Sequence, residues 1–261
     1  MKSFNFKSPS NTKEASKLAS GRATFLAGGM TLLPAIKLRL AAYSDLINIK
    51  KIKGLSGIKV SSKSLRIGST TTHAEVAASK EVGKTISSLA ILAEGIGDPQ
   101  VRNRGTIGGS IANNDPAADY PSACLALNAT IHTSKRKIPA DKFFKGMFET
   151  DLKKGELIES VEFEVPEKSA YSKYPNPASR YAVVGVYVAK LKNEVRVSVT
   201  GAGSSVFRSK ELEEALSVNF SPSAIDNVNI SNKGLNSDIH ASAEYRAHLI
   251  KVMTKRAVSS C

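Results

Sequence analysis

Arg104-Gly105-Thr106-Ile107-Gly108-Gly109-Ser110, followed by Asn113-Asn114-Asp115-Pro116, is the stretch on which the reading of this chain turns. Its glycines let backbone N–H groups come close to a bound anion, and its hydroxyls add hydrogen-bond donors. Taken alone, such a run is also what a pair of tight turns between strands looks like. It has a counterpart about 80 residues earlier, in Ala27-Gly28-Gly29-Met30-Thr31. There a short apolar strand, Ala23 to Ala27, runs into two glycines. A helical pattern follows, with Leu33, Ile36, Leu38 and Leu40 apolar and Lys37 and Arg39 solvated. Thr31 suits its N-cap, and Pro34 falls in the first turn, where the missing N–H is harmless. Strand, glycines and helix start again make an anion-site pattern that is weak in isolation. Neither loop contains a lysine, and the P-loop pattern G-x-x-x-x-G-K-[ST] is absent. Gly201-Ala202-Gly203 continues into Ser204-Ser205-Val206 and fails the Rossmann fingerprint at its third glycine. Two lysine-free glycine loops suggest a diphosphate held from two sides by backbone.

Outward from the loops, the chain divides into residues 1–55, 56–170 and 171–261. Asp45 to Ile49 reads as a further strand of the first region. In the second, Ile58 to Val60 and Ser64 to Gly68 form a hairpin pattern, and Thr71 or Thr72 caps a helix that begins at His73. Ile86 to Ile96 is an apolar helical run that Asp98-Pro99 breaks. The segment Val101 to Asn114 is poor in helix signals. Ser122 to Leu127 suggests a helix, and Ala129 to Thr133 and Leu157 to Val165 suggest strands. The third region follows the link Tyr174-Pro175-Asn176-Pro177. It shows two strand patterns, Ala182 to Leu191 and Glu194 to Gly201, and a final helix from about Ile239 to Arg256, capped by Ser237 or Asp238. It is expected to be a three-stranded sheet with a helix. Strands and helices in three blocks make the fold class α+β.

Composition narrows the function classes. Of 261 residues, 41% are hydrophobic and 23% charged, as in an ordinary soluble globular protein. No run approaches the length of a membrane helix, and the first residues lack the apolar core of a signal peptide. Cys124 and Cys261 cannot build a disulfide framework, so the expectation is a reduced, cytoplasmic protein. The net charge of +14 invites a nucleic-acid reading. The lysines, however, are dispersed over turns and strand edges, and no basic stretch is interleaved with aromatics that would stack bases. A lysine-rich surface facing an acidic partner fits the pattern better.

Both glycine stretches belong to longer motifs. Ala27-Gly28-Gly29-Met30-Thr31-Leu32-Leu33-Pro34, continuing through Lys37-Leu38-Arg39, resembles the first flavin loop of the molybdenum hydroxylases. Gly97-Asp98-Pro99-Gln100-Val101-Arg102-Asn103-Arg104 through Asn113, then Asp119-Tyr120-Pro121, resembles the second. The likeness is to the medium, FAD-binding subunit of aerobic carbon monoxide dehydrogenase and to the FAD domain of xanthine dehydrogenase. It extends, in the family's order, through Thr71 to Glu75, Gly155 to Ile158, Ala182 to Val186 and Ser237 to Arg246.

The resemblance implies an FAD-binding fold of the vanillyl-alcohol oxidase/PCMH type. Residues 1–55 and 56–170 would form two small α/β FAD subdomains, and residues 171–261 a C-terminal antiparallel sheet with helices. It implies that Ala27, Gly28, Gly29, Met30 and Thr31 grip the pyrophosphate with Thr106, Ile107, Gly108, Gly109 and Ser110. Ile96 and Ile158 would be apolar contacts, and Asp119 a hydrogen-bond acceptor for the FAD. Lys173 and Tyr181 would stand near the isoalloxazine ring, as a cation and an aromatic face. Met30 replaces a more polar residue and Ser110 an asparagine, both at positions that bind through backbone.

The side-chain chemistry that is missing agrees with a carrier. His73, His132, His240 and His248 are scattered without partners at metal-ligand spacing, and two cysteines cannot hold an iron–sulfur cluster. His73 reads as a first-turn helix residue and His240 as a surface one. No nucleophile–base arrangement is visible, and a flavin needs none, because it brings its own redox chemistry. By the same resemblance, molybdopterin and [2Fe–2S] clusters sit on a large and a small partner subunit. The chain would pass electrons through FAD to a quinone or other acceptor. A heterotrimer or its dimer is implied, with peripheral membrane association through a quinone. The alternatives are a free-standing FAD-dependent oxidoreductase and a basic binding module without catalytic function. The substrate of the holoenzyme (carbon monoxide, a purine, an aldehyde or an N-heterocycle) is selected on another chain.

Overall fold

The computed structural model describes residues 2–261. At the N-terminus three short strands form a parallel sheet in the order Asn5–Lys7, Asp45–Asn48, Ala23–Leu26. Parallel neighbours need crossovers, and helices Thr12–Leu18 and Leu32–Lys37 supply them. The core beneath is small: Ala15, Ile47, Ile49, Ile52 and Leu55, closed by Leu157 from the next layer. The helix expected to run on through Leu40 ends at Lys37. The N–H groups of Leu40 and Ala41 both bond to the Ala35 carbonyl, and Arg39 takes a left-handed conformation, φ 61°. Leu38 and Leu40 are thereby turned out to solvent rather than in.

The second layer is a five-stranded antiparallel sheet. Its order is Ile58–Val60, Ser64–Gly68, Ile158–Glu164, Thr130–Thr133, Lys137–Pro139. The expected hairpin forms its edge, and Ile158–Glu164 is its central strand, antiparallel to Ser64–Gly68 on one side and Thr130–Thr133 on the other. Helices cover one face, and the largest core, including Leu65, Ile67, Leu89, Leu92, Ile107, Tyr120 and Phe163, lies between. Of the two threonines expected as cap, Thr72 takes the role and makes a reciprocal capping box with Glu75 at the start of His73–Ala78.

The glycine-rich stretch departs from expectation. Instead of turns it contains two helices, Pro99–Arg102 and Ile107–Asn113. Each helical glycine costs about 1 kcal/mol relative to alanine. Ile107 and Ile111, four residues apart and fully buried, offset that cost by anchoring one face, and Thr106 caps the first turn.

The C-terminal sheet has four antiparallel strands rather than three: Lys168–Pro175, Ala182–Lys190, Val195–Thr200 and the two-residue Phe207–Arg208. The supposed linker around Tyr174-Pro175 is the end of its first strand, with Pro175 at a register shift where no ladder N–H is needed. The final helix, Ala243–Ser259, starts later than expected and is capped by Ser242. Asp238 instead accepts from the buried Arg246, which also donates to the Val183 and Gly201 carbonyls. Strand Ala182–Lys190 explains why no polar alternation is visible in its sequence. Tyr187 and Ala189 join the second layer's core, while Val184, Val186 and Val188 face the terminal helix.

Candidate functional site

The N-terminal and middle layers meet at the two glycine loops, and the contact is backbone on backbone. A side chain at Gly28 would collide with the Arg104 carbonyl, and one at Gly108 would come within 2.5 Å of Ser69. Gly29 is left-handed, φ 76°, which only glycine adopts without strain. Between the loops runs a cavity of about 600 Å³, within the 300–1,000 Å³ typical of small-molecule sites. Thirteen of the fifteen residues expected at the site line it: Ala27, Gly28, Gly29, Met30, Thr31, Ile96, Thr106, Gly108, Gly109, Ser110, Asp119, Ile158 and Tyr181. Ile107 does not; its side chain is fully buried in the core and its N–H bonds to the Thr71 carbonyl.

Lys173 also lies off the wall, behind it. Its ammonium is 3.0 Å from Asp119 Oδ1 and donates to the carbonyls of Gly95, 2.8 Å, and Arg180, 3.0 Å. Burial pushes the Asp119 carboxyl up, and the Lys173 charge is the largest opposing effect. Lys173, the cation that the resemblance sets near the ring, is thus held by Asp119 and two carbonyls close beside the cavity. Arg180, just before Tyr181, is the cationic residue on the cavity wall, and its guanidinium donates to the Gly97 carbonyl.

The two loops present different chemistry. Among the described residues, the backbone N–H groups of Gly28, Gly29, Met30 and Thr31 have no hydrogen-bond partner. In the second loop the donors are already engaged: Gly108 with the Ser69 carbonyl, Gly109 with Thr106 Oγ1, and Ser110 with the Thr106 carbonyl. The first loop is thus the source of free backbone donors, and the second offers a close-fitting wall with hydroxyls at Thr106 and Ser110.

Sequence reasoning missed two polar residues of this wall. Ser69 and His73 are almost wholly buried, line the cavity, and carry unpartnered atoms, Ser69 Oγ and His73 Nδ1. Burial, with Arg102 nearby, holds the His73 pKa down to about 4, so the ring is neutral at pH 7. The signal was present in Ser69-Thr70-Thr71-Thr72-His73, a polar run directly after a buried strand. Unpartnered buried polar atoms are rare in a folded protein. FAD fits this donor set: a diphosphate for the free N–H groups, hydroxyls for Ser69 and His73, and flat rings for Ile96, Ile158 and Tyr181. Among the described residues, no cluster of His, Cys, Asp or Glu could hold a metal, and no helix is long and apolar enough to cross a membrane.

A cavity of this size, walled by two glycine loops and open backbone donors, has the form of a cofactor site. Residues 2–167 match the family described as the FAD binding domain in molybdopterin dehydrogenase, and the chain belongs to that family. The glyceraldehyde dehydrogenase medium chain of Sulfolobus acidocaldarius is 33% identical over 97% of this chain and 96% of its own length. The carbon monoxide dehydrogenase medium chain of Hydrogenophaga pseudoflava is 32% identical over 98% and 96%. Reconstituted CO dehydrogenase from Oligotropha carboxidovorans superposes with a TM-score of 0.92 at 27% identity, covering 99% of this chain and 97% of that one.

Proposed function

We propose that this chain is the FAD-binding subunit of a molybdenum hydroxylase, taking electrons from [2Fe–2S] clusters of a small subunit and delivering them to a quinone or other acceptor. The observation that carries the reading is the cavity between the two glycine loops, with four free N–H groups on one side and the unpartnered Ser69 and His73 on the other. When bound, FAD supplies the exchange of electrons between one-electron clusters and the final acceptor. The protein's part is to bind, orient and shield. The 28–31 donors neutralise a diphosphate, Asp119 accepts a hydrogen bond, and Ile96, Ile158 and Tyr181 exclude water from the rings.

Relatives named for glyceraldehyde and for carbon monoxide resemble this chain to nearly the same degree. That supports substrate selection on the molybdopterin-bearing large subunit. The assembly is a heterotrimer or its dimer in the cytoplasm, with peripheral membrane association if the acceptor is a quinone. The net charge of +14 favours acidic faces on those partners.

The test is to saturate the purified chain with FAD, alone and co-expressed with its partner subunits, then desalt it and record the visible spectrum and mass. About one flavin per chain, lost in a Gly28→Arg/Gly108→Arg double variant, is the expected result. A folded wild-type chain that keeps no flavin in either state overturns the proposal.

A further inference from the structure

The C-terminal sheet reaches the cavity through Asp119. Its first strand, Lys168–Pro175, carries Tyr171 and Lys173 two residues apart and so on one face. Both side chains end on the same carboxylate oxygen: the Tyr171 hydroxyl donates to Asp119 Oδ1, as does Lys173. Every side-chain donor that reaches this carboxylate ends on Oδ1, while Asp119 itself lines the cavity.

The neighbouring strand is shaped to allow it. Tyr171 pairs with Tyr187 and Lys173 with Gly185, so Gly185 lies diagonally beside the phenol. A methyl group at Gly185 would run into the Tyr171 hydroxyl. The missing side chain leaves the slot through which that hydroxyl leans toward Asp119. Lys173 in turn ties Asp119 to the Gly95 carbonyl, at the start of the turn that holds Ile96. Two walls of the cavity are therefore fixed from behind by one strand.

We propose that Tyr171, with the slot at Gly185, is a positioning residue that works with Lys173 to keep Asp119 ionised, its Oδ2 presented to the cavity as the acceptor for FAD. This rests on the FAD reading above. The physical need is plain: a wholly buried carboxylate loses its hydration and drifts toward the protonated acid unless charge and hydrogen bonds hold it. The groups facing it are Lys173 and Tyr171 from the strand, Tyr120 from its own helix and Tyr181 from the loop at the cavity mouth. Only Lys173 among them brings a compensating charge, so the Tyr171 hydroxyl is the remaining support.

The experiment titrates FAD into the full chain from pH 6 to 9, for wild type, Tyr171→Phe, Gly185→Ala and Asp119→Asn. Wild-type affinity is expected to be flat across this range. Tyr171→Phe is expected to bind about tenfold more weakly at pH 7. Its deficit should widen toward pH 6, where Asp119 takes up a proton and stops accepting, and narrow toward pH 9. Gly185→Ala should reproduce that pH profile with the hydroxyl present but displaced, and Asp119→Asn should be weak at every pH. Carbon-13 NMR of the Asp119 carboxyl in the flavin-free chain is the second reading, with its titration moved to higher pH in Tyr171→Phe. Wild-type affinity in Tyr171→Phe at all pH values, or a loss with no pH dependence and an unmoved Asp119 titration, overturns the inference. Failure of wild type to bind FAD at all would instead overturn the reading on which it rests.

Discussion

The two glycine loops look alike in sequence and do opposite work. Residues 28–31 leave their N–H groups free and sit over a core of a few side chains at the edge of the molecule. Residues 106–110 have spent their donors on Ser69 and Thr106, and Ile107 and Ile111 anchor them in the largest core. Glycine serves the first loop by leaving backbone donors open to the cavity, and the second by letting a helix press against a strand end. A motif that reads as one device repeated is an adjustable donor set facing a rigid wall.

That contrast can be broken most directly with matched valines. Gly108→Val is expected to destabilise the chain by at least about 3 kcal/mol in urea unfolding, because the new side chain meets the backbone of Ser69. Gly28→Val should abolish flavin retention and destabilise the chain by a similar amount, since its side chain would meet the backbone of Arg104 and Gly105 still more closely. A much smaller loss in Gly28→Val would show that the N-terminal layer, with its small core, yields where the middle layer does not.

His73 sharpens the picture of the wall. Its pKa is lowered to about 4 in the folded chain against an ordinary value of 6.5, so below pH 6.5 the unfolded chain takes up a proton that the folded one refuses. Stability should therefore fall as pH is lowered from 6.5, by up to about 3 kcal/mol near pH 4. His73→Gln should flatten that part of the curve in flavin-free protein, and a variant with the wild-type slope would show that the ring protonates in place.

The smallest effect concerns the caps. Thr106 accepts the Gly109 N–H, whereas Thr31 makes no capping bond. Thr106→Ala should lower stability by about 1 kcal/mol and Thr31→Ala by a few tenths at most. Matching values by thermal unfolding would mean that the second loop is no more firmly built than the first.

What the sequence showed was local or long. The hairpin Ile58–Gly68, the helix cap at Thr71 or Thr72 and the two glycine motifs each lie within a few dozen residues and carry their own turn and capping chemistry. The helix Ile107–Asn113 was hidden because its glycines lower propensity and its support comes from burial, which no window of the chain displays. Strand Lys168–Pro175 was hidden by its terminal proline, a residue that excludes central ladder positions and tolerates strand ends. The bond from Tyr171 to Asp119 spans 52 residues and depends on the gap at Gly185 in a third segment. Lys173 could be placed near the cavity from the family motif, but its contacts with Asp119, Gly95 and Arg180 could not, because spacing along a strand does not say which groups a side chain meets.

The strand Ala182–Lys190 carries a consequence for how such a chain can be inherited. Its two faces serve two different cores, one built mostly from residues before 170 and the other from residues after. Cutting the gene between those regions would give two products, each with an open apolar sheet face and neither a finished protein. The family pattern stops at residue 167, yet the core of the second layer is completed from beyond it, by Tyr187, Ala189, Leu191 and Val206. The second and third layers therefore share one boundary strand, and a cut between them would leave both unfinished.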